Sequence, residues 1–210
     1  MKRHYYQPFV SIFLFAWMMV LPCFAKAAVY QIELIVFSHF TPKSVTQEQW
    51  PKINPSAYAF PNAISLKPSA NGYHYFTELA PNRMMLNREA LELEKNPNYQ
   101  VLMHLAWLQP VYAHANTIQL TTHSLPSNSR TKEINGVMRI SVERYFDVHF
   151  NLLFAVPGSR LSSLARNDYF NGANTVYFHL NEMRRMRSNE LNYIDYPLYG
   201  ILIKIKPIHA

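Results

Sequence analysis

Apolar and polar residues alternate with a period of two along most of the chain beyond residue 28, the spacing that sends successive side chains to opposite faces of a strand. Residues 29–39, VYQIELIVFSH, open this pattern. Tyr30, Ile32, Leu34 and Val36 alternate with Gln31, Glu33, Ile35 and Phe37, and the second half is apolar on both sides. This predicts a strand that enters from the rim of a sheet and becomes central. Glu33, its one charge, is expected on a solvated face. Residues 99–108 predict a second strand, with Tyr99, Val101, Met103, Leu105 and Trp107 on one side and Leu102, His104 and Ala106 on the other. His104 among apolar neighbours reads as a hydrogen-bonded core histidine. Residues 117–122 form a weaker strand and 124–132 a polar loop. Asn135-Gly136 signals a turn or bulge, after which 137–143 and 145–154 alternate at length. Residues 159–173 read as a polar connector.

The end of the chain, residues 175–205, reads TVYFHLNEMRRMRSNELNYIDYPLYGILIKI. Val176, Phe178 and Leu180 share one side of a strand, with Thr175, Tyr177 and His179 on the other. Continued, the same period places Met183, Arg185 and Arg187 on one face and Arg184 and Met186 on the other. A turn within 188–197 and the β-branched run Ile201, Leu202, Ile203 and Ile205 complete a two-strand unit with one strongly basic end. Residues 82–95 carry the one clear helical pattern. Leu86, Ala90 and Leu93 make its apolar stripe, Asn82 or Asn87 its cap, and Asn96-Pro97 its stop. Residues 41–81 keep no period. Prolines at 42, 51, 55, 61, 68 and 81 predict a long irregular excursion with one short strand at 73–76. Trp50 within it either stacks on a sugar face or pins the loop to the core; the irregular neighbours favour the pin. The sum is α+β: a mainly antiparallel β-sheet with one clear helix and a long proline-rich loop.

The first 27 residues fall outside this fold. Lys2, Arg3 and His4 precede an apolar run from Phe9 to Val20, and Ala25-Lys26-Ala27 has the small-x-small form of a cleavage site. This predicts a cleaved signal peptide, 1–27, and export to an envelope compartment; the apolar run is too short for a spanning helix. Cys23, the one cysteine, leaves with it, so the remainder is expected to hold together by packing alone. Residues 28–210 suit a single domain. Lys2, Arg3 and Lys26 also leave, and no acid does, so +4 remains of the formal +7. That mild excess fits an anionic envelope partner, and export argues against nucleic acid.

The chemistry-bearing residues are few. Asp147 and His149 share a strand face, and His179 and Glu182 sit on a later strand, but nothing in that spacing specifies a metal site. There is no G-x-S-x-G, no cysteine beyond position 27, and no acidic pair in a recognisable acid/base setting. Neither cofactor nor catalytic residue is expected. The arginines remain. Arg184, Arg185 and Arg187, with Arg139 and Arg144 further back, are guanidinium forks suited to bidentate carboxylate binding, and Tyr145, Tyr177, Tyr193, Tyr196 and Tyr199, near them in sequence, offer flat faces for stacking. The competing reading makes the arginines edge-strand protection, or partners of Glu143, Glu182, Glu190 and Asp195. The candidate ligand-binding set is Arg184, Arg185, Arg187, Tyr193, Arg139, Arg144 and Tyr145.

Five segments in order carry a resemblance: YQIELIVFSH, EQW-P, YQVLMHLAWLQPV, ING-V-R-I-V-RYF and RRMRSNELNYIDYPLYGILIKI. Over residues 30–205 the chain resembles the CsiV family of periplasmic peptidoglycan-binding proteins. It departs from the family's pattern at Asp147 and Tyr196, where the family tends to carry histidine. The resemblance implies a non-enzymatic adaptor that binds peptidoglycan and supports wall synthesis and cell shape. It also implies a partner, the outer-membrane lipoprotein that activates a bifunctional penicillin-binding protein. It supplies no site residues; those rest on the arginines and tyrosines.

Overall fold

A computed structural model describes residues 28–65, 76–114, 116–121, 124–125, 128–166 and 168–208. The leader, Cys23 and most of the strand expected at 73–76 lie outside these. The hub of one sheet is β1 (Val29–Ser38), antiparallel between β12 (Tyr199–Ile208) and β4 (Gln100–Pro110). Leu34 pairs with Ile203 on one side and with Leu105 on the other. β11 (Leu191–Tyr196) extends the sheet beyond β12, and the short β3 (Thr77–Glu78) extends it beyond β4. The second sheet runs in the order β10 (Thr175–Met186), β9 (Phe146–Pro157), β8 (Ile134–Val142), β5 (Asn116–Thr121) and β2 (Ile64–Ser65). β2 joins β5 in parallel, while the β5, β8, β9 and β10 pairings are antiparallel. A small hairpin of β6 (Ser124–Leu125) and β7 (Asn128–Lys132) occupies part of the expected polar loop. The α+β character expected from the pattern holds, with β dominant.

The two sheets pack face to face because each presents one continuous apolar side. Ile32, Leu34 and Val36 with Ile201, Ile203 and Ile205 face Val148, Phe150, Leu152 and Phe154 in one buried cluster. Rings bridge the sheets: Tyr199 stacks on Phe154 at 3.8 Å and Tyr30 meets Phe146 edge-on at 4.9 Å. Trp107 is fully buried and donates its indole N–H to Gln109 Oε1 at 2.7 Å, so its polar edge is satisfied inside the core. The outer face of the first sheet carries a second apolar cluster. α2 (Asn87–Lys95) lays Ala90, with Leu86 just before it, over Ile35 and Phe37.

Several expectations need correction. Glu33 is not solvated. It is fully buried beneath the start of α2, where its carboxylate accepts from the Met85 and Leu86 backbone N–H groups and bonds His104 Nε2 at 2.7 Å. Alternation assigned the outer face correctly, but α2 covers that face. His104 is the hydrogen-bonded histidine expected. α2 has no side-chain cap; Leu86 stands at its N-cap, and the Glu33 carboxylate meets the adjacent N–H groups instead. Asn135-Gly136 is not a turn but part of β8, with Gly136 opposite Leu152. A Cβ at Gly136 would lie 2.3 Å from Asn151 O, so glycine is needed for close backbone approach. The connector after β9 contains a helix, α3 (Gly158–Ala165), which buries Leu161.

The last unit is not a hairpin either, and the stretch expected to hold its turn, 188–197, contains the strand β11. β10 pairs with β9 in one sheet and β12 with β1 and β11 in the other. Residues 187–190 cross between the sheets, helped by Asn189 at φ 65° and its N–H bond to Ile205 O at 2.7 Å. The two-residue link Pro197-Leu198 then turns β11 into β12. The 41–81 excursion carries more order than its prolines suggest. α1 (Pro42–Thr46) opens it with a capping box at Thr41, and a 3-10 turn follows at Pro55–Ala57. Trp50 is the pin: its ring edge meets Phe178 at 4.9 Å and its N–H donates to Val45 O at 3.0 Å.

Candidate functional site

The candidate arginines do not form one patch. On β10 the two-residue period puts Arg184 and Arg185 on opposite faces, both exposed. Arg185 is held by Asp147 across the ladder, donating Nε to Oδ1 at 2.9 Å and a terminal N–H to Oδ2 at 3.3 Å. The hydrogen bond and charge of Asp147 raise the Arg185 pKa further. Arg139 is exposed on β8, cross-strand from His149. Tyr193 lies on the outer face of the other sheet, stacked with Phe37 at 6.2 Å and donating to Asp195 Oδ1 at 2.5 Å. Burial first, then that bond, keeps its hydroxyl protonated well above the usual tyrosine range.

Arg144, Arg187 and Tyr145 do converge. The β8–β9 turn and the crossing after β10 meet beside the end of β12, enclosing an open cleft of about 480 Å³. Both guanidiniums lie within cation–π range of one ring: the Cζ of Arg144 is 5.6 Å and that of Arg187 5.9 Å from the Tyr145 centroid. Glu143 and Glu190 line the same cleft, and Glu190 stands 3.8 Å from Arg187. The cleft therefore offers both signs of charge around an aromatic face.

A second concave region was not expected from the sequence. The segment from Trp50 to Tyr58 lies along the outer side of β10 and borders a cleft of about 370 Å³ with Tyr177, His179 and Tyr196. The Tyr58 ring sits 4.5 Å from that of His179, whose Nε2 is 2.9 Å from Asn151 Oδ1. Desolvation lowers the His179 pKa, favouring the neutral ring. Burial pushes Tyr196 up to about 12. A neighbouring cleft of about 520 Å³ continues past Pro55 and Ser56 over β5 and β8, and Tyr177 lines both. The alternation does put Tyr177 and His179 on one face. Tyr58 lies in the proline-rich excursion, where no period connects it to β10.

The metal arrangement considered for Asp147, His149, His179 and Glu182 does not assemble. β9 and β10 pair, but Asp147 bonds Arg185, His149 bonds Asn181 at 2.5 Å, and His179 bonds Asn151. Glu182 lies opposite Phe150, on the other face of the sheet from His179. Among the described residues no group of three or more histidine, cysteine or acidic side chains is placed to hold a metal ion.

No curated protein and no solved structure matches the chain. A family model does, over residues 9–208 of the 210, and its description is peptidoglycan-binding protein, CsiV. With nearly its whole length covered, the chain belongs to the CsiV family.

Proposed function

We propose that this chain is a non-enzymatic peptidoglycan-binding protein of the bacterial envelope. The observation that carries the reading is the family match over residues 9–208. The family's description implies an envelope location, in keeping with the signal peptide read at residues 1–27. Within that reading the protein supports wall synthesis and cell shape. It does so with the outer-membrane lipoprotein that activates a bifunctional penicillin-binding protein, the partner that the resemblance implies.

The cleft around Tyr145 is the proposed contact for the wall's stem peptides. These peptides carry free carboxylates and amines, and the cleft sets Arg144 and Arg187 beside Glu143 and Glu190. Guanidinium forks take carboxylates bidentately, and the two glutamates suit an amine. Arg185 contributes less, because Asp147 already occupies its fork.

The test is co-sedimentation of the purified protein with protein-free sacculi. The wild type is expected in the pellet at low salt. The R144A/R187A double variant, folded by circular dichroism, is expected to bind about tenfold more weakly, the loss of one to two charge-assisted hydrogen bonds. An unchanged pellet fraction in that variant removes the cleft from the reading. A wild type that stays in the supernatant at low salt removes direct wall binding altogether and leaves a protein-binding module. Release of soluble muropeptides would establish a hydrolase instead.

A further inference from the structure

Two neighbouring clefts flank the 3-10 turn at Pro55–Ala57 and share Tyr177. Their chemistry differs from that of the cleft around Tyr145. Among the described residues that line them there is no aspartate or glutamate, and the lysines are Lys52 and Lys132, one in each. What lines them instead is aromatic, amide and hydroxyl: Tyr58 and Tyr177, Asn54 and Asn135, Gln119 and Thr121. A groove for an anionic chain would gather cations. A groove for an apolar helix would lack the amides and hydroxyls. Flat rings with amide donors and acceptors instead match a ligand that is uncharged, rich in hydroxyls and N-acetyl groups, and apolar on its ring faces. The size fits as well. Each cleft lies within the roughly 300–1,000 Å³ of small-molecule sites.

The groove is also pre-built. Trp50 fixes one wall through Phe178 and Val45. Tyr169 donates to Trp50 O at 2.5 Å, and Asn54 Oδ1 accepts from the Ser56 N–H at the head of the turn. Tyr58 rests against His179, whose lowered pKa keeps a neutral ring beside it. A wall held in this way does not have to be ordered by its ligand.

Resting on the wall-binding reading above, we propose that this groove takes the N-acetylated amino-sugar backbone of peptidoglycan, with Tyr177 as the stacking platform between its two halves. The charged cleft around Tyr145 then serves the stem peptides, and the groove serves the glycan.

Chitotetraose, a chain of N-acetylglucosamine without stem peptides, separates the two. Titrated into the isotope-labelled protein, it is expected to shift the backbone amide signals of residues 52–54, 56–58 and 177–179. Tyr177→Ala is expected to weaken that binding about tenfold, while Tyr177→Phe, which keeps the ring, stays within about twofold. Ser56→Trp, an exposed position on the turn, fills the groove without touching the core and is expected to abolish it. Chitotetraose shifts that are absent, or that Tyr177→Ala and Ser56→Trp leave intact, overturn the groove. If wild-type protein still sediments with sacculi in that case, the wall-binding reading survives. Failure of the wild type to sediment overturns both.

Discussion

Glu33 is the residue on which the outer side of the first sheet depends. A fully buried carboxylate is tolerated only when its oxygens are satisfied, and here two backbone N–H groups and His104 do so. Glu33→Ala would leave those N–H groups buried without a partner and open a void beneath α2. The expected cost is about 3–5 kcal/mol, a fall in Tm of roughly 10 °C for a chain of this size, read by thermal circular dichroism. Glu33→Gln keeps the shape and one acceptor but turns an amide NH₂ toward a donor, so an intermediate loss is expected, about 1–3 kcal/mol. Equal stability of all three proteins would show that the carboxylate is not what holds α2. The sequence showed Glu33 on the face opposite Ile32 and Leu34, which is correct. It could not show that α2, more than fifty positions later, covers that face, because alternation records which side a residue takes and not what packs against that side.

Strands were legible because their period is local; the partners of those strands were not. β1, β4, β9, β10 and β12 all fall where alternation places them. β10 and β12 do not pair, because 188–197, which reads as one turn, holds β11, and composition does not distinguish a turn at 187–190 from a step to another sheet. α3 was missed because Ser159, Ser162 and Ser163 dilute its apolar stripe to Leu161 and Leu164. Gly136 was misjudged for a related reason. An Asn-Gly pair signals a turn, yet glycine also serves where two backbones approach closely, and here Asn151 O lies 2.3 Å from where a Cβ would stand. The contact is with backbone, so it cannot be relieved by a rotamer. Gly136→Ala is therefore expected to pry β8 from β9 and cost about 1–3 kcal/mol, lowering Tm by several degrees. A Tm left unchanged by Gly136→Ala would overturn the close-approach account.

At the scale of the molecule, β10 links the two proposed contacts. It is an edge strand of its sheet, with Tyr177 and His179 near its start and Arg187 just past its end. At about 3.3 Å per residue, ten residues of strand separate Tyr177 from Arg187 by roughly 30 Å. A polymer that carries sugars and charged peptides along its length can meet both, and the second contact is then made at a high effective concentration. The two contacts should respond differently to salt. Exposed charge pairs are screened over a Debye length of about 10 Å at 0.1 M, whereas stacking and amide hydrogen bonds are not. Sacculus binding by the wild type is thus expected to fall as salt rises from about 0.05 to 0.5 M and then to level off. R144A/R187A should bind weakly at every salt concentration with a flattened slope, because the screened part has been removed. Tyr177→Ala should keep the wild-type slope and lose the plateau, because what remains is the screened part. If both variants lose the same fraction at every salt concentration, the two clefts do not divide the wall between them, and the arginines and the groove act through one contact.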